Sequence, residues 1–285
     1  MKGIDMRAEQ VTDPVAYHGE GPVWSERWGG LRCVDMLAGD ILSLRDGKVE
    51  RRHVGNVAAA LRPRRGGGSV IAVERGFALE EPDGTLTTLP ELWTSSGIRM
   101  NDGGCDPDGR FYAGSMAYDQ APGAASLYRL DPDGDVAVVL EGVTVSNGLE
   151  WSPDGSRMYY NDTATHQVSV FDYDDVGGLT ARRVFVELEG QRSPDGLTVD
   201  AEGGVWVAVF GAGVVHRYRS DGSLDLIVEV DAKQVSACTF GGENLDRLYI
   251  TTSREGQEPG EDPLAGSLFS VVPGVTGMPA REFAG

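Results

Sequence analysis

Cysteine is scarce in this sequence, and Cys33, Cys105 and Cys238 form neither a Cys-x-x-Cys pair nor a zinc-finger spacing with histidine. That odd and scattered set excludes a disulfide framework and predicts reduced core thiols in a cytoplasmic protein. Positive charge is short as well: 25 Lys and Arg stand against 44 Asp and Glu, a formal charge of −19. So acidic a surface repels phosphate backbones, which excludes nucleic acid from the expected partners. Long apolar runs are missing; the longest, residues 205–215, covers about half a membrane span and is broken by Gly211 and Gly213. The opening MKGIDMRAEQVTDP holds no apolar stretch of the secretory kind, so no membrane association is expected. Helical periodicity is nearly absent, with room for one turn near residues 89–95. No Gly-x-Ser-x-Gly elbow supports a serine hydrolase, and no Gly-x-Gly-x-x-Gly supports a nucleotide fold. Residues 172–183 fail as a calcium loop, because Val176 and Arg183 occupy positions that need oxygen ligands.

Glycine is abundant: 40 residues in 285, about twice the usual share. Six glycines sit in Asp-Gly pairs at Asp46, Asp83, Asp108, Asp133, Asp154 and Asp221, between short runs that alternate as strands do. Asp-Gly is a strong hairpin signal because glycine adopts positive φ without a Cβ clash. Aligned on the turn after each inner run, segments beginning at Glu20, Asn101, Asn147, Asp195 and Ser236 stack, and a weaker one begins at Val57. Each repeat holds four strands in roughly 45 residues, the unit of a propeller blade. The chain is therefore read as all-β, a single six-bladed β-propeller domain over residues 1–285 whose N-terminal residues complete the last blade. A closed propeller protects its own edges, so a monomer is expected.

The first strand of each blade lines the central channel, which would bring Glu20, Val57, Asn101, Asn147, Asp195 and Ser236 to one axis. Two carboxylates and two carboxamides then face one another, and like charges so crowded oppose mutual ionisation. A divalent cation resolves the conflict. With neither His nor Cys in the set, calcium, magnesium or manganese is favoured over copper. Trp24, Trp151 and Trp206 share a register and read as core between blades, whereas Tyr118 and Trp93 fall outside it and read as pocket-lining. His53, His166 and His216 read as surface or structural residues, and His18, two positions from Glu20, as a residue at the channel mouth. Arg62, Arg64 and Arg65 read as a solvated turn.

The segments Glu20-Gly-Pro-Val-Trp, Arg99-Met-Asn101-Asp-Gly, Ser146-Asn147-Gly-Leu-Glu-Trp, Ser193-Pro-Asp195-Gly-Leu and Phe240-Gly-Gly-Glu-Asn-Leu-Asp-Arg-Leu-Tyr-Ile-Thr resemble the signatures of the SMP-30/gluconolactonase/luciferin-regenerating-enzyme family. The resemblance implies a lactonase that opens an aldonolactone to an aldonic acid in cytoplasmic carbohydrate metabolism. It implies Glu20, Asn147 and Asp195 as ligands of one divalent ion, either calcium, zinc, magnesium or manganese. It implies Asp195 as general base, and Arg99, Asn101 and Asp119 as substrate-binding residues. Asp119 stands where family members carry a longer glutamate. The chemistry is self-consistent: a divalent ion polarises an ester carbonyl and lowers the pKa of water, while a carboxylate takes the proton. Two other readings suit the same hub, a phosphotriesterase-type hydrolase and a metal-binding propeller without catalysis.

Overall fold

Short alternating runs separated by tight turns pair each run antiparallel with the next, and the chain folds them into six such sheets. The computed structural model describes residues 4–190 and 192–285. The innermost strands of blades 1 to 6 are Gly19–Ser25, Ala58–Pro63, Ile98–Cys105, Ser146–Trp151, Ser193–Val199 and Val235–Gly241. Each packs on the innermost strand of the next blade, and the sixth packs on the first, so the ring is closed. The protein is a six-bladed β-propeller. Blade 6 is assembled from both ends of the chain, because Glu9–Gln10 pairs antiparallel with Phe269–Val271. Ile4–Arg7 adds a parallel fifth strand to blade 5, beside Leu224–Glu229. No described helix is long and apolar enough to cross a membrane; the helical residues are three single turns of 3-10 helix.

All six inner strands break register with their neighbours at the same height. The shifts fall between Glu20 and Val23, Ala58 and Ala60, Met100 and Asp102, Ser146 and Leu149, Pro194 and Leu197, and Val235 and Ala237. A bulge bends its strand and re-aims the local side chain. Here six bulges form a collar around the axis, and the predicted hub residues sit on or beside it. Two glycines following those residues are there for space. A Cβ at Gly148 would lie 2.3 Å from the Leu197 nitrogen, and one at Gly196 would lie 2.4 Å from the Ala237 Cβ. Neighbouring inner strands therefore touch backbone to backbone at the hub.

The core lies between blades. Trp151 and Trp206 are fully buried there, each edge-on to an aromatic neighbour (Tyr112 and Phe240, respectively), while Trp24 is partly buried and stacks on Tyr249 at 5.7 Å. The three cysteines are buried and free. The last residues cross the face of the propeller opposite the collar's open side: Phe283 N–H donates to the Pro63 carbonyl, Ala284 N–H to the Gly109 carbonyl, and Arg281 Nη2 to the Ser152 carbonyl. This tail corrects one expectation. Arg64 is not in a solvated turn; its side chain is 12% exposed and bonds the Gly285 carbonyl through Nε and Glu81 through Nη1. A partner more than 200 residues away leaves no local trace in sequence.

Gly148→Ala should destabilise the protein by about 1–3 kcal/mol, the usual cost of overpacking, because Leu197 N and Asp195 O are backbone atoms that cannot step aside. Urea unfolding measures it, and a variant as stable as wild type would show that the hub tolerates separation of blades 4 and 5.

Candidate functional site

Two cavities lie along the propeller axis. One, of about 290 Å³, opens at the collar and is lined by Glu20, Arg99, Asn101, Asn147 and Asp195, with His18, Gln120, His166 and Glu255 nearer its rim. The other, of about 230 Å³, lies on the tail side and is lined by Arg62, Asp102, Glu150 and Arg281. Five of the predicted site residues thus converge in one cavity. Asp119 does not join them: it is exposed, its Oδ1 accepts the Ala121 N–H at 3.1 Å, and its neighbour Gln120 faces the cavity. Val57 and Ser236, the other hub-register residues, also stay out of it. Val57 packs in the hydrophobic core, and the Ser236 hydroxyl donates to the Gly19 carbonyl.

The polar residues of the collar orient one another. Arg99 Nη1 donates to Asn101 Oδ1 at 2.6 Å and to the Met100 carbonyl at 3.0 Å, against the Met36 sulfur. With its oxygen so engaged, Asn101 donates through Nδ2 to the Ser146 carbonyl at 2.7 Å and to Asn147 Oδ1 at 3.2 Å. Asn147 donates in turn to Thr163 Oγ1 at 2.8 Å, and Thr163 donates to the Pro194 carbonyl at 2.8 Å. One chain of donors therefore runs from blade 3 to blade 5. Asn161 extends it by donating to the Asp195 carbonyl at 2.6 Å.

The carboxylates lack such compensation. Glu20 is 3% exposed and Asp195 5%, and neither forms a salt bridge among the described residues. Burial, then the charges of Asp195 and Asp102, hold the Glu20 carboxyl well above the usual range, against a single opposing bond from the Gly21 N–H at 3.1 Å. Burial and the charge of Asp102 do the same to Asp195. Asp102, buried behind them, is pushed up to about 6. His18 offers no counter-charge: burial, aided by the charge of Arg99, lowers its imidazole to about 3, and Nδ1 meets Ser253 Oγ at 2.6 Å.

A divalent cation fits this donor set. No group of three or more His, Cys, Asp or Glu side chains among the described residues has a metal-holding disposition. The hub instead offers two carboxylates and the carboxamide of Asn147, whose nitrogen is committed to Thr163. Those are hard oxygen donors, and the two carboxylates are buried without a salt bridge among the described residues, with Arg99 only partly offsetting their charge, a costly state that a small cation relieves.

Several lining residues carry no signal in the repeat. Gln120, Thr163, His166 and Glu255 reach the cavity from connections between strands, where neither spacing nor alternation marks them, and Met116 reaches it from near the end of the strand Phe111–Ala117. Tyr118 and Trp93, expected to line a pocket, do not line this one. Tyr118 lays its ring over the Arg99 guanidinium at 5.8 Å and bonds Glu74 Oε1 at 2.9 Å, whereas Trp93 packs against Tyr128.

The family model of the SMP-30/gluconolactonase/LRE-like region matches residues 18–254. A regucalcin of Danio rerio is 36% identical over 279 residues, covering 94% of this chain and 95% of that protein. Among solved structures, a regucalcin of Agrobacterium tumefaciens described as calcium-binding superposes with a TM-score of 0.92 at 27% identity, covering 99% of both chains. A gluconolactonase of Xanthomonas campestris superposes with a TM-score of 0.74 at 25% identity, covering 92% of this chain and 87% of that one. With the family model matching residues 18–254 and relatives agreeing in fold over most of its length, the chain belongs to the SMP-30/gluconolactonase/LRE-like family.

Proposed function

We propose that this protein is a metal-dependent lactonase that hydrolyses an aldonolactone to the aldonic acid. The observation that carries the reading is the pair of buried carboxylates without a salt bridge, Glu20 and Asp195, beside an oriented Asn147 and the cation of Arg99, which only partly offsets their charge. The calcium-binding description of one relative and the gluconolactonase activity named for another support it.

Glu20, Asn147 and Asp195 would hold the ion. When bound, a divalent cation supplies a Lewis acid for the ester carbonyl and lowers the pKa of water. The remaining work falls to the chain. Arg99 holds the ring through the guanidinium hydrogens that its bonds to Asn101 and Met100 leave free, and Asn101 contacts the ring through its carbonyl oxygen, both fixed in place by the collar network. Asp195 takes a proton from the attacking water as its oxygen adds to the carbonyl carbon. The acyl–oxygen bond of the ring then breaks, the former ring oxygen receives the proton, and the open hydroxy acid leaves. Met116, Val145 and Phe210 form the apolar part of the wall and exclude bulk water, which strengthens the polar contacts inside.

Chelator-stripped protein, restored with calcium, zinc, magnesium or manganese singly, tests the reading by proton release on a panel of aldonolactones. Turnover that returns with one metal supports it. Absence of turnover above spontaneous hydrolysis with every metal overturns it, and hydrolysis of aryl phosphotriesters alone would replace it with the phosphotriesterase reading. Asp195→Asn should keep the fold, by circular dichroism, and lose about 10²–10⁴-fold in kcat/KM; full activity in that variant would falsify the role of Asp195.

The metal-free protein should show a matching pH dependence of stability. Because the folded-state values of Glu20 and Asp195 are raised, their contribution is complete below the ordinary carboxylate values of 4.5 and 3.8 and is lost as pH rises through the raised ones. Melting temperature in chelator should therefore fall from pH 5 to pH 8. Glu20→Gln should flatten that slope, stabilise the apo form at pH 8 by about 1–3 kcal/mol, and weaken the stabilisation by added metal. An unchanged slope with an unchanged metal response would remove Glu20 from the ligand set.

A further inference from the structure

Five described residues other than glycine have positive φ: Asp46, Gln120, His166, Ala181 and Leu245. Two of the five, Gln120 at φ 55° and His166 at φ 56°, line the collar cavity. They occupy equivalent places in adjacent blades, each on the connection between the second and third strands, so together they form one sector of the rim. The left-handed region costs energy for a residue with a Cβ, and glycine would occupy either position without that cost. Held there, both side chains face the cavity instead.

Their free atoms define what they can read. The Gln120 side chain makes no hydrogen bond among the described residues, so its carboxamide can both donate and accept. His166 Nδ1 lies 3.2 Å from the Arg192 carbonyl, which can only accept; Nδ1 therefore carries a proton, and in that tautomer Nε2 is an acceptor. An acceptor beside a donor–acceptor matches the hydroxyl groups of a polyol and has no use for a plain alkyl arm. Resting on the lactonase reading, we propose that Gln120 and His166 are the specificity-determining residues of this site, binding hydroxyls of the substrate remote from the reacting ester.

Glycine substitution isolates the side chains, because it keeps the backbone conformation that each position demands. Gln120→Gly, His166→Gly and the double variant are compared with wild type on an aldono-δ-lactone and on unsubstituted δ-valerolactone. The expected result is a kcat/KM on the hydroxylated lactone that falls about three- to tenfold per residue relative to the plain one, with the melting temperature equal or higher. Equal factors on both substrates, no change on either, or a loss of melting temperature would overturn the assignment, the last by showing a structural role. Calorimetric titration with the matching alditol gives a readout independent of turnover. If wild type hydrolyses no lactone but binds the alditol, and the glycine variants lose that binding, the lactonase reading fails and the rim assignment stands. If wild type neither hydrolyses the lactone nor binds the alditol, both fail.

Discussion

Uncompensated negative charge on the propeller axis is the constraint to which the rest of the structure answers. Glu20 and Asp195 lie far apart in the chain but on inner strands separated in the ring by blade 6 alone, and each would ionise readily in water. Closing the ring strips them of solvent and turns them toward each other, with Asp102 just behind. Nothing in the immediate shell cancels the charge. Arg99 is close enough to moderate it, yet its hydrogen bonds go to Asn101, Met100 and Met36 and not to either carboxylate. A site under such tension is stabilised by what it binds, and His18 on its flank, its imidazole lowered to about 3, adds no further positive charge to that of Arg99.

Fixed geometry makes this tension useful. The collar of bulges sets the direction of each hub side chain, and the backbone contacts at Gly148 and Gly196 set their spacing. The network from Arg99 through Asn101, Asn147 and Thr163 then settles which end of each carboxamide faces inward. Strand bulge, glycine contact and hydrogen-bond chain act on the same few residues. The hub is rigid for reasons that belong to the fold, while the rim residues that vary its selectivity sit on connections that can change without disturbing it.

That division explains what could be read from the sequence. Six repeats, their Asp-Gly turns and the propeller were legible because turn chemistry and strand alternation are local. Glu20, Asn147 and Asp195 were legible because each precedes a glycine in one register, and the reasons are physical: at Gly148 and Gly196 an inner strand can approach its neighbour only without a Cβ, while Gly21 takes a positive φ of 48°. Asp119 shows the limit. Its place in the chain suggested the cavity, but the turn it enters directs its carboxylate to the Ala121 N–H and presents Gln120 instead. His166 and Glu255 were not legible at all, because connections between strands carry no periodicity. Arg64 was misplaced because the tail that buries it arrives from the far end of the chain.

Blade 6 has a consequence for how the molecule is made. Its outermost strand, Glu9–Gln10, is made about 260 residues before its partner around residue 269. Pairing of such distant residues is slow, because a long loop must close before any contact rewards it. During synthesis the early blades can form while the N-terminal strand waits with its edge unsatisfied. The collar has no complete form until the sixth inner strand, Val235–Gly241, packs on the first, so shorter nascent chains carry an incomplete hub. The cavity in this architecture is completed late in the life of the polypeptide.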